Sequence, residues 1–128
     1  MRLLLDTQAF LWWTSGNDRL TPRAHAAIED PGTDVLVSVA SAWEVSIKAA
    51  LGRLDLETDA ETYVPDRILA HGFTPLAIGL AHALRAGALP RHHGDPFDRM
   101  LIAQSQLEDV PIVTGDPLIG MYDVETIW

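Results

Sequence analysis

Cysteine is absent from the 128 residues. That excludes disulfide bonds and thiolate metal ligands, and it fits a reducing compartment. Positive charge is scarce: 9 Lys and Arg stand against 18 Asp and Glu, for a net charge of −9 and a pI near 4.7. Nucleic-acid binders usually carry a basic footprint, and this composition shows none. Such acidity suits carboxylates clustered around divalent cations, or a basic partner. Long apolar runs are also missing. Leu3-Leu4-Leu5 is cut short by Asp6, too early for a signal peptide or a membrane span. The expectation is a soluble, cytoplasmic protein with no membrane association. No repeat, low-complexity segment or linker divides the chain, so residues 1–128 read as one domain.

What is present is an alternation of short apolar strands with helices. Leu3-Leu4-Leu5 and Val35-Leu36-Val37 read as buried strands, as does Pro111-Ile112-Val113-Thr114. Phe73-Thr74-Pro75-Leu76 reads as a weak strand near an edge, because of its proline. Val124 to Trp128 can add a last strand. Helices are predicted from Thr7 through Trp13 and from Pro22 to about Ile28. A third is capped by Ser38 or Ser41 and ends at Gly52. On that helix Trp43, Ile47, Ala50 and Leu51 have the spacing of one apolar face. Residues 59–71 read as helical, but Pro65 predicts two short helices or a start near the proline. A further helix is expected from Leu80 to Ala86. The pattern argues for an α/β domain with a mostly parallel sheet. In such sheets the ligand site lies beyond the carboxyl ends of the strands.

The most informative stretch is Asp95-Pro96-Phe97-Asp98-Arg99 and the apolar residues after it. Asp95 is an N-cap and Pro96 the first helical residue, with the helix running to about Glu108. Asp98 falls in the first turn. Three more acids occupy comparable places. Asp6 and Asp116 follow apolar strands, and Glu44 lies early on a helix that follows one. Helix starts and strand ends share one edge of a parallel sheet, so Asp6, Glu44, Asp98 and Asp116 can converge on one cleft. Without a cation such a cluster repels itself and raises its own pKa values. Oxygen-only donors suit Mg²⁺ or Mn²⁺, and bound metal makes hydroxide available near neutral pH. Thr7 and Thr114 can add hydroxyl ligands or hold a carboxylate by hydrogen bonding. Each acid also has a local explanation: Asp6 as a cap, Glu44 as the i,i+4 partner of Lys48, Asp116 as the start of a turn.

Other residues carry less. Adjacent His92 and His93 rarely face one ion and are assigned to solvent or RNA contact. His25, His71 and His82 are placed at the surface, and the four tryptophans in core or interface. Lys48, Arg85, Arg91 and Arg99 are candidate phosphate contacts, although Arg99 can instead pair with a nearby carboxylate.

Taken in order, Leu4-Leu5-Asp6-Thr7-Gln8-Ala9, Trp43-Glu44, Asp95-Pro96-Phe97-Asp98-Arg99 and Thr114-Gly115-Asp116 resemble the motifs of PIN-domain ribonucleases. They are most similar to the VapC toxins of type II toxin–antitoxin systems. The resemblance spans the whole chain. It implies a compact α/β/α sandwich and a Mg²⁺- or Mn²⁺-dependent endoribonuclease, with Asp6, Glu44, Asp98 and Asp116 as the metal-binding and catalytic acids. Asp95, Thr7 and Thr114 would support them. It further implies an RNA substrate, a homodimer, and a cognate antitoxin whose basic or C-terminal segment enters the acidic cleft. Gln8 and Gly115 stand where relatives often have histidine and alanine. Two other readings compete. One is a phosphatase or receiver-like phosphoryl-transfer domain, but position 8 is not aspartate and no lysine follows Lys48. The other is an inactive acidic interaction module.

Overall fold

The computed structural model describes residues 1–128. Five strands form one sheet: β1 (Arg2–Leu5), β2 (Asp34–Ser38), β3 (Thr74–Leu76), β4 (Ile112–Val113) and β5 (Thr126–Ile127). Their order is β3-β2-β1-β4-β5, and every adjacent pair is parallel. At the centre, Leu4 of β1 is in register with Leu36 of β2 and Ile112 of β4. The proline-bearing β3 lies at one edge, where a missing N–H costs no ladder bond.

Six helices cover the two faces: α1 (Thr7–Thr14), α2 (Pro22–Glu29), α3 (Val39–Ala50), α4 (Ala60–Ala70), α5 (Leu80–Ala88) and α6 (Pro96–Glu108). Side chains alternate across a strand, and this divides the core. Leu3, Leu5, Val35, Val37 and Val113 pack with Phe10 of α1, Ile28 of α2, Val45 of α3 and Tyr63 of α4. Leu4, Leu36 and Ile112 face the other way, against Leu101 and Ile102 of α6; α5 packs along α6. The result is an α/β/α sandwich. Because both faces are covered, the central strands read as unbroken apolar runs. Leu3, Leu4 and Leu5 are fully buried, each worth about 1.5–3 kcal/mol.

Short side chains set the helix starts. Asp6 Oδ1 accepts from Ala9 N at 2.7 Å, and Ser38, not Ser41, caps α3 by accepting from Ala40 N at 3.0 Å. Asp95 Oδ1 accepts from both Phe97 N and Asp98 N, at 2.9 and 3.0 Å. These caps place the first turns of α1, α3 and α6 at the carboxyl edge of the sheet.

Two expectations fail. Residues 60–70 form a single helix despite Pro65. The proline sits on the exposed face, so the Glu61 carbonyl that loses its i+4 partner can turn to water. The apolar face expected on α3 is not its buried face. Trp43 and Leu51 are each 61% exposed, whereas Ala40, Ser41, Glu44 and Val45 are buried. The helix packs against α1, α4 and α6 as well as β2, and that wedge turns Glu44 inward.

Candidate active site

Asp6, Glu44, Asp95, Asp98 and Asp116 line one open cleft of about 540 Å³, together with Thr7, Gln8, Lys48, Gly115 and two tryptophans. They come from four separate places in the chain. Asp6 follows β1, Glu44 is on the second turn of α3, Asp95 and Asp98 start α6, and Asp116 follows β4. The local roles read from sequence hold as well. Asp6 caps α1, Glu44 Oε2 meets Lys48 Nζ at 2.8 Å, and Asp116 Oδ1 accepts from Leu118 N at 2.9 Å. Capping and convergence are thus compatible, since a cap consumes only one carboxylate oxygen.

The two threonines differ. The Thr114 hydroxyl accepts from Asp116 N at 3.1 Å and hydrogen-bonds the Asp6 carboxylate, tying two acids to one strand end. The Thr7 hydroxyl instead donates to Ser41 Oγ at 2.9 Å, bracing α1 against α3.

Charge is held here at a cost. Burial pushes the Asp6 carboxyl above its ordinary value of 3.8, and the charges of Asp116 and Glu44 push it further. The Thr114 and Ala9 hydrogen bonds oppose them. Asp98 is pushed up to about 6, first by burial, then by the charge of Asp95, with smaller contributions from Asp116 and Glu44. The His93 hydrogen bond opposes the shift. Each carboxylate is engaged locally, and no three acidic or histidine side chains are gathered closely enough to hold one ion. The donor set still fits a hard divalent cation by type: it is all oxygen, and its like charges are what a cation would relieve.

The sequence assigns His93 to solvent or RNA contact, and the structure corrects this. Its Nε2 lies 3.2 Å from Asp98 Oδ2 and its Nδ1 2.9 Å from the Tyr122 hydroxyl. That hydroxyl accepts from Arg99 Nη1 at 3.3 Å and from His93 N at 3.2 Å. Its own proton has two acceptors within reach, Nδ1 at 2.9 Å and the His93 carbonyl oxygen at 3.3 Å; donation along the shorter contact leaves Nε2–H to donate to Asp98. His93 is an orienting residue for Asp98. No local pattern signals it, because Tyr122 is distant in sequence; only its place in the loop entering α6 is suggestive. His92 remains exposed. His82 is also not a surface residue: it is buried, with Nδ1 accepting from Gly79 N and Nε2 3.3 Å from Glu108.

Arg99 is a further correction. It is buried and contacts neither a carboxylate nor the cleft. Its guanidinium donates to the carbonyl oxygens of Ala86, Leu89 and Pro90 at 2.9–3.0 Å. A side chain so committed is not available to a phosphate; instead it holds the loop that carries His93. Lys48 does line the cleft. Trp12 and Trp128 line it too, rather than filling core alone.

Fold and cleft together define an α/β/α domain with an acidic, oxygen-only site at the carboxyl edge of a parallel sheet. A family model described as PIN domain matches residues 3–123, and the chain belongs to that family. Over 57 residues it is 40% identical to ribonuclease VapC16 of Mycobacterium tuberculosis; the match takes in 44% of this chain and 40% of that relative. Among solved structures, VapBC2 of Rickettsia felis, bound to a DNA fragment from their promoter, superposes with a TM-score of 0.73. It covers 98% of this chain and 97% of its counterpart at 9% identity. A toxin–antitoxin complex from Klebsiella pneumoniae gives a TM-score of 0.61 at 21% identity, over 89% of this chain and 86% of the other. FitAcB of Neisseria gonorrhoeae gives 0.59 at 18%, over 98% and 96%. These likenesses establish the fold. No helix is long and apolar enough to cross a membrane.

Proposed function

We propose that this PIN domain is a Mg²⁺- or Mn²⁺-dependent endoribonuclease and the toxin of a type II toxin–antitoxin pair. One observation carries the reading: carboxylates from separate elements share one cleft, and burial and mutual repulsion hold two of them above their ordinary pKa. A structural cluster gains nothing from that arrangement. A cation site does, because the cation removes the repulsion. Asp6 and Asp98 would be the principal ligands, with Glu44 and Asp116 completing the set. When bound, the ion would lower the pKa of a water and neutralise phosphodiester charge.

The chain's own groups then have distinct work. Glu44 or Asp116 orients the attacking water. His93 holds Asp98 in one rotamer, and Thr114 holds Asp6 beside Asp116. Lys48, 49% exposed at its side chain, can leave Glu44 for a phosphate oxygen once a cation takes the carboxylate. The VapC16 relative is named a ribonuclease and the structural neighbours include toxin–antitoxin complexes, which supports the assignment. A partner antitoxin with a basic segment matches the net charge of −9. Leu80 and Leu84, 78% and 67% exposed on α5, offer apolar surface for a second copy of the chain.

The test uses purified protein freed of antitoxin, incubated with a mixed RNA pool in Mg²⁺, Mn²⁺ or EDTA. Metal-dependent cleavage is expected, and Asp98→Asn should slow it on the order of a hundredfold, about 2.7 kcal/mol in the barrier. Equal cleavage by both proteins would refute the site. No cleavage, with no Mn²⁺ bound by the folded chain in a titration, would refute the function.

A further inference from the structure

We propose that Trp128 and Trp12 form a stacking platform for one unpaired nucleobase of the RNA, beside the carboxylates. The proposal rests on the ribonuclease reading and adds a base-binding subsite, which takes the exposed face of one base next to the reacting phosphate. Both indoles line the cleft that contains Asp6, Asp98 and Asp116. Their ring centroids are 5.9 Å apart, with planes tilted by 42°. Both pack at the margin of the core and remain half-buried. Apolar ring surface is therefore left over on the cleft side.

The position of Trp128 depends on the loop that carries Asp116. A Cβ at Gly115 would lie 2.5 Å from Trp128 Cε2 and 2.7 Å from Nε1. Gly115 does not have a positive φ, so its backbone does not call for glycine; the close approach of the indole does. The ring is thus laid against the residue that precedes a candidate catalytic acid.

The electrostatics of the cleft make such a platform useful. Among its twelve lining residues the single cation is Lys48, which is paired with Glu44. The protein's own charge is therefore a weak hold on a polyanion here. Base–aromatic stacking needs no positive charge, and every base has a face to offer. A duplex hides those faces, whereas single strands present them. The exposed Arg19 holds its guanidinium over the Trp12 ring, 5.7 Å from the centroid, so Trp128 is the principal stacking surface and Trp12 its support. The exposed Gln8 amide, also in the cleft, can meet a base edge.

The experiment measures binding in Mn²⁺ at low salt, on the full chain carrying Asp98→Asn, so that cleavage is slow enough for the probe to stay whole during the measurement. The probes are an oligouridylate of about ten nucleotides, within the span such grooves cover, and the same backbone with its bases removed. Trp128→Leu should weaken binding of the oligouridylate about tenfold and leave binding of the abasic strand unchanged. Trp128→Phe, which keeps a ring, should recover most of the loss. Gly115→Ala keeps both indoles but displaces one, and should weaken oligouridylate binding selectively. Equal losses on both strands would mean that Trp128 only props the fold, and no loss on either would mean that no base stacks there; each result overturns the platform alone. Binding of neither strand, by the Asp98→Asn chain and by the unsubstituted chain alike, overturns the ribonuclease reading with it.

Discussion

Asp98 and Arg99 are neighbours on α6, yet they meet opposite environments. Successive residues on a helix point about 100° apart, so one faces the cleft and the other the packing between α5, α6 and the loop that joins them. The Arg99 charge is buried and matched, with three carbonyl oxygens at 2.9–3.0 Å. The Asp98 charge is half-buried and poorly matched, with one imidazole as partner and other carboxylates around it. A buried charge with its hydrogen bonds complete ties a structure together. A charge left short of partners stores repulsion that a ligand can relieve.

The sharpest way to break the contrast is Arg99→Ala. It leaves the Ala86, Leu89 and Pro90 carbonyls without their donor, and should cost about 3–5 kcal/mol in stability by urea unfolding. Arg99→Lys should recover little, because one ammonium cannot reach acceptors that a planar fork serves. Asp98→Asn should behave in the opposite way, losing RNA cleavage while the metal-free fold melts no lower at pH 7. If Arg99→Ala melted like the parent, the distinction between the two charges would fail.

A smaller effect is pH-dependent. The ordinary pKa of Asp98 is 3.8, and the folded chain raises it to about 6. Between these values the folded chain holds the proton more tightly than the unfolded chain does. The Asp98 contribution to stability is therefore complete below about pH 4 and lost as pH rises through about 6. Asp6, also raised, acts in the same direction. Metal-free protein should accordingly lose stability over this range, measured by thermal melts in EDTA, and Asp98→Asn should flatten the loss. The smallest effect concerns the other cation of the comparison. Lys48 is half-exposed, at i,i+4 from Glu44, so Lys48→Ala should change stability by no more than about 0.5 kcal/mol. An effect near that of Arg99→Ala would show that the cleft is drier than its exposure indicates.

Much of this arrangement is legible in the chain itself. The three central strands announce themselves as apolar runs because both faces of the sheet are covered. Asp95-Pro96 sets the start of α6, and the helix ends at Glu108 as read. Asp6 and Asp116 stand at strand ends, so their edge of the sheet follows from the alternation of strand and helix. The misreadings share one cause. The missing donor of Pro65 predicts a break, but its face of α4 is exposed to water. The spacing of Trp43 predicts a buried face, but α3 is wedged against three other helices and β2.

By itself, then, the sequence determined the α/β class, the caps and the edge on which the acids gather, since periodicity, capping and turn chemistry act over a few residues. Only the tertiary structure decided that Arg99 turns inward, that His93 faces Asp98 under the Tyr122 hydroxyl, and that Trp128 rests on Gly115. A residue's place on its own element sets the direction in which it points. What it meets there depends on segments elsewhere in the chain, and they arrive only when the layers pack.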